Sequence, residues 1–151
     1  MTATRHGTAA PAVGDAVPQL QRRMTLPSMI AYAGATWDWH RLHYDPAFVA
    51  AMELTGPVVD GQVFGALLVE MIQDWLGPSC FVQQLSFTFK NLVFAEETVR
   101  CAGTVTELGD GWVALNLRVD VIAADGTVGR PAVTPAGARV LLGVADGPGA
   151  P

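Results

Sequence analysis

Two of the chain's three histidines, His40 and His43, stand in the segment Ala35-Thr36-Trp37-Asp38-Trp39-His40-Arg41-Leu42-His43-Tyr44-Asp45-Pro46, and a carboxylate, Asp38, precedes His43 by five residues. A carboxylate and an imidazole held in one pocket can share a water molecule, one taking a proton while the other gives one, which is how side chains perform general acid–base catalysis. On spacing alone, such a pair more often caps and orients neighbouring helices, so the surrounding elements decide whether it has a pocket to work in.

Those elements follow from local patterns. Gln19 to Thr25 is predicted as a first strand, and Leu26-Pro27-Ser28 turns it into a short helix through Met29 to Ala35, with Pro27 suited to a helical first turn. Asp45-Pro46 opens a second helix to about Met52, Asp45 as N-cap and Pro46 at the first helical position. The loop bearing Asp38 and His43 lies between the two. Gly61 to Leu76 is apolar around most of a helical circumference and stops at Gly77-Pro78, the pattern of a buried helix. Beyond it the chain is strand-like over Phe81 to Leu92, Glu97 to Leu108, Trp112 to Ala123 and Ala138 to Val144, with turns at Gly109-Asp110-Gly111 and Asp125-Gly126. Leu115, Leu117, Val119 and Val121 alternate with Asn116, Arg118 and Asp120, so one sheet face is covered and the other is wetter. Pro131 and Pro135 break the stretch Arg130 to Gly137, where a loop or bulge is expected. A sheet covering a helix that is apolar on nearly all sides can curl around it, giving an α+β architecture.

Composition narrows the function. A chain of 151 residues with 50% hydrophobic content suffices for one domain with one core. Nine Lys and Arg, unclustered, and a net charge of -5 argue against a nucleic-acid or anionic-membrane surface. Cys80 and Cys101 are far apart and form no CxxC, so neither a disulfide framework nor a metal site is suggested. Arg5 and His6 precede a small-residue stretch rather than the apolar core of a signal peptide, and Glu70, Gln73 and Asp74 interrupt the longest apolar run. A soluble, cytoplasmic protein with small-molecule or protein partners is expected. Residues 1–14 and 144–151, rich in Ala, Gly, Thr and Pro, read as disordered tails flanking a single domain over residues 15–143.

With the Asp-to-His loop, a glycine-led buried helix and a run of strands in this order, the chain resembles the MaoC-like branch of the hot-dog fold, the (R)-specific enoyl-thioester hydratases and dehydratases. The likeness covers about residues 15–143. It implies an antiparallel sheet wrapped around a long central helix, with a short helical overhang carrying the active-site loop. In that family the overhang holds a catalytic Asp and, five residues on, a catalytic His, in the pattern Gly-Asp-x-Asn-Pro-hydrophobic-His. Asp38, Leu42 and His43 match it, whereas Trp37 replaces Gly and His40-Arg41 replaces Asn-Pro. Gly56-Pro57-Val58-Val59-Asp60-Gly61 resembles the family's lead into the central helix, where the glycine N–H lies by the thioester carbonyl. Asp60 stands where many relatives have His or Gln.

The resemblance implies addition or removal of water across the C2–C3 bond of an acyl-CoA or acyl-carrier-protein substrate, with Asp38, His43 and Gly61 catalytic. Trp39, His40, Arg41, Val59, Asp60 and Gln62 are the expected substrate contacts. No metal is expected, nor any cofactor other than the coenzyme A of the substrate. Two alternatives remain: a thioesterase on the same fold using Glu70 or Asp74, and a non-catalytic subunit of a heteromeric hydratase. Single hot-dog chains pair their sheets edge to edge, so a homodimer or a heteromer with another hot-dog subunit is expected.

Overall fold

The computed structural model describes residues 10–143. Most of the two expected tails lies outside them; of residues 10–14, Gly14 donates its N–H to the Val105 carbonyl at 2.9 Å. The elements run β1 (Ala16–Arg23), α1 (Leu26–Thr36), a single 3-10 turn (Arg41–His43), α2 (Pro46–Ala51), α3 (Gln62–Leu76), β2 (Phe81–Phe89), β3 (Thr98–Gly109), β4 (Trp112–Ile122) and β5 (Val128–Leu141).

All five strands form one antiparallel sheet in the order β1-β3-β4-β5-β2, leaving β1 and β2 at its edges. The inward positions of β3 and β4, among them Val99, Cys101, Leu115, Leu117 and Val119, form one cluster with Phe64, Leu67, Leu68, Met71 and Ile72 of α3. Leu68 and Ile72 have no exposed surface. Burying an aliphatic side chain of this size contributes about 1.5–3 kcal/mol, so this seam is what holds the helix to the sheet. Among the described residues no helix is long and apolar enough to cross a membrane.

Two expectations change. α3 is not enclosed on all sides: Gln62, Ala66 and Gln73 are exposed along one flank, because the sheet covers only the other. Asp120, expected on the wetter face of β4, is 4% exposed, its carboxylate held by the Arg118 guanidinium through bonds of 2.6 and 2.7 Å. Two parallel charge-assisted bonds make that burial tolerable. The loop or bulge expected over Arg130 to Gly137 is present as bulges. β5 runs through this stretch between β4 and β2, and the ladder slips against β4 between Leu117 and Ile122 and against β2 between Phe87 and Phe89. Proline donates no N–H, so an interior strand accommodates Pro131 and Pro135 only where the ladder is already broken.

Candidate active site

The overhang that carries the candidate acid–base pair is assembled from caps. Thr25 accepts the Ser28 N–H at the start of α1. At its end Trp37 adopts left-handed backbone (φ 60°, ψ 26°), and the Asp38 N–H bonds back to the Ala33 carbonyl at 3.0 Å. This reversal sends the chain out of α1 toward the 3-10 turn. His40 caps that turn, its Nδ1 accepting the Leu42 N–H at 3.1 Å. Asp45 caps α2 by accepting from Ala47 and Phe48, as the Asp-Pro pair implies.

His43 is fixed by a neighbouring extended segment. Val58 donates its N–H to the Leu42 carbonyl at 3.0 Å, and the Val58 carbonyl faces His43 Nδ1 at 2.7 Å. A carbonyl only accepts, so Nδ1 carries the hydrogen, and in the neutral ring Nε2 keeps its lone pair. That lone pair lies 3.8 Å from Asp38 Oδ2, too far for a direct hydrogen bond and close enough for both to reach one intervening oxygen. The Asp38 side chain is 40% exposed against 13% for His43, so the carboxylate keeps contact with water while the imidazole is largely enclosed. Asp38 Oδ1 accepts the His40 N–H at 3.1 Å, which orients the carboxylate.

Asp60 completes the cluster. Potential ligand atoms of Asp38, His43 and Asp60 all lie within 4.8 Å of one another, an arrangement that could also hold a cation. Asp60 Oδ1 accepts the Gln62 N–H at 2.9 Å, taking up one donor at the start of α3. The Gly61 N–H, by contrast, has no acceptor among the described residues. The absence of a side chain at position 61 has a packing reason as well: a Cβ there would come within 2.6 Å of the Phe89 ring, just as one at Gly65 would come within 2.9 Å of Phe87. Two rings from β2 thus lie against the first turns of α3.

A cavity of about 130 Å³ opens beside His43, Val59 and Asp60 and runs between α1, α3 and β1. Tyr32 lines it; burial first, and the Asp60 charge second, push its phenol above the ordinary value, so it stays a protonated donor. Of the expected substrate contacts, Val59 and Asp60 line this cavity, and Gln62 lines a wider cleft on the open flank of α3. Trp39, His40 and Arg41 line neither. Trp39 stands edge-on to Trp37 and Tyr44, His40 serves as a cap, and Arg41 is bound to Asp45 at 2.7 Å and lies over the Phe48 ring.

Three participants escaped the sequence reading. Val58 acts through its carbonyl, which has no residue-type signature. Tyr32 was accessible in principle, since Met29, Tyr32 and Ala33 share the helical face that lines the cavity. Arg22 of β1 also lines the cavity and is bound to Glu70 of α3 at 2.5 Å.

The chain is similar to known proteins. The MaoC like domain matches residues 8–125. The (R)-specific enoyl-CoA hydratase of Aeromonas caviae is 30% identical over 91 residues, covering 60% of this chain and 68% of that protein. The 3-oxo-4,17-pregnadiene-20-carboxyl-CoA hydratase beta subunit of Mycobacterium tuberculosis is 25% identical over 105 residues, 70% of this chain and 81% of that one. The solved structure of an (R)-hydratase from A. caviae involved in PHA biosynthesis superposes with a TM-score of 0.78 at 27% identity, covering 89% of this chain and 99% of that one. With the sheet, the central helix and the overhang all in place, the chain belongs to the MaoC-like family and has its hot-dog fold.

Proposed function

We propose that this protein is an enoyl-thioester hydratase or 3-hydroxyacyl-thioester dehydratase acting on acyl-CoA or acyl-carrier-protein substrates. The observation that carries this is the 3.8 Å approach of His43 Nε2 and Asp38 Oδ2 beside a cavity at the start of α3. In hydration, a water oxygen bonds to C3 as its proton passes to the basic member of the pair, and C2 takes a proton from the acidic member. The two groups act as one unit, so base and acid are properties of the pair. Negative charge developing on the thioester oxygen is stabilised by the Gly61 N–H and the positive end of α3. These steps need no cofactor; coenzyme A enters as part of the substrate.

The relatives' names support the chemistry: one is an (R)-specific enoyl-CoA hydratase and another a CoA hydratase subunit. A thioesterase using Glu70 or Asp74 finds less support, because Arg22 already engages the Glu70 carboxylate and Asp74 is exposed at the far end of α3. The word "subunit" in a relative's name favours assembly with a second hot-dog chain. β2 offers the surface, an edge strand whose Phe81 and Phe89 are each 56% exposed. Purified protein should remove the conjugated absorbance of a trans-2-enoyl-CoA, and Asp38→Asn and His43→Ala should each abolish this. Full turnover in both variants would sink the mechanism.

A further inference from the structure

The cavity has a direction. Asp60 and His43 lie at one end, followed along α3 by Val63 and Leu67, which line it on one helical face. Glu70 comes next on that face, and its carboxylate holds the Arg22 guanidinium that lines the cavity from β1. From Val63 to Glu70 is about 10 Å of helix at about 1.5 Å per residue. Met24, Met29 and Leu67 contribute apolar walls beside Ser28 and Tyr32; His43 and Asp60 line one end, and Arg22, held by Glu70 from behind the lining, lines the other.

Resting on the hydratase proposal for the kind of ligand, we infer that this cavity is a slot for short, straight acyl chains and that the Arg22–Glu70 pair is its end wall. Size gives the first limit. An apolar cavity of about 150 Å³ holds one benzene, so the 130 Å³ here admits a chain of about six non-hydrogen atoms. The fused rings of the pregnadiene substrate named for the mycobacterial relative do not fit such a slot. Chemistry gives the second. A longer apolar chain pressed against the pair displaces the water that solvates both charges without offering either a hydrogen bond. The pair is well suited to be a replaceable wall, since its side chains are 46% and 42% exposed and exposed pairs contribute little to folding.

Binding of saturated thioesters tests the slot without turnover. Butyryl-CoA and decanoyl-CoA are titrated calorimetrically into the full chain, below the concentration at which the longer thioester forms micelles. Wild type is expected to bind butyryl-CoA at least tenfold more tightly. Arg22→Ala is expected to reduce the ratio below threefold by opening the wall, while Arg22→Lys, which keeps a cation opposite Glu70, restores the wild-type order. Equal affinities in wild type, binding of neither thioester, or an unchanged ratio in Arg22→Ala would overturn the inference. Hydration assays separate it from the proposal beneath it. Selective binding without hydration of any trans-2-enoyl-CoA keeps the slot and removes the hydratase; equal binding with hydration does the reverse.

Discussion

His43 works as an oriented side chain because a backbone carbonyl, Val58 O, settles which nitrogen bears the hydrogen. Two features meet at Gly61: its N–H has no acceptor among the described residues, and the Phe89 ring occupies the space a Cβ would take. The two features are separable. Gly61→Ala should lower both thermal stability and hydratase activity, the latter on the order of 10²-fold if the donor is displaced. Adding Phe89→Ala should recover stability and leave activity low; recovery of both would show that packing alone requires the glycine. Cys101 illustrates the opposite extreme, a residue isolated from chemistry. Burial, with a smaller contribution from the Glu70 charge, pushes its thiol up to about 12, so it is a thiol at neutral pH. It should resist alkylation in native protein and react on unfolding. Rapid labelling of Cys101 in the folded state would contradict its burial.

At the level of elements, the overhang is a chain of caps, and its acid sensitivity follows from one of them. The Phe48 N–H and the Arg41 guanidinium hold the Asp45 carboxyl below its ordinary 3.8. A carboxyl lowered in the folded state contributes stability above its unfolded value and loses it as pH falls through the folded value. The melting-temperature difference between wild type and Asp45→Asn should therefore be constant near neutrality and shrink as pH drops below 3.8, measured by thermal scans. A difference that widens in acid would rule this out. These caps were legible in the sequence because Asp-Pro is a local signal that needs no tertiary partner. The central helix was legible too, though not its open flank, which depends on how far a five-stranded sheet can wrap. The course of β5 was only half legible. Prolines mark where a ladder breaks, but whether the break is a loop or a bulge is decided by β4 and β2 on either side. For α3, Leu68→Ala should cost about 2–5 kcal/mol by chemical denaturation, the usual range for a fully enclosed leucine.

Across the whole molecule, a sheet with two edges presents β1 and β2 differently. β1 is tied to α3 by the Arg22–Glu70 link, whereas β2 presents exposed aromatic rings along a free edge. A solution mass of at least twice that of the chain is expected, alone or with a second hot-dog subunit. A monodisperse monomer with full activity would refute the need for a partner. The candidate site was legible as a pair, Asp38 and His43, because their spacing is local. The cavity was not, since Arg22, Tyr32 and Leu67 come from three elements that only the fold brings together. The four tryptophans are distributed just as unevenly: Trp75 and Trp112 are half-buried in the body, while Trp37 is 81% and Trp39 45% exposed beside Asp38. The most solvent-accessible fluorophore therefore sits next to the candidate acid–base pair. Acrylamide should quench the red-shifted part of the emission first, and the protein carries its own optical probe of events at the overhang.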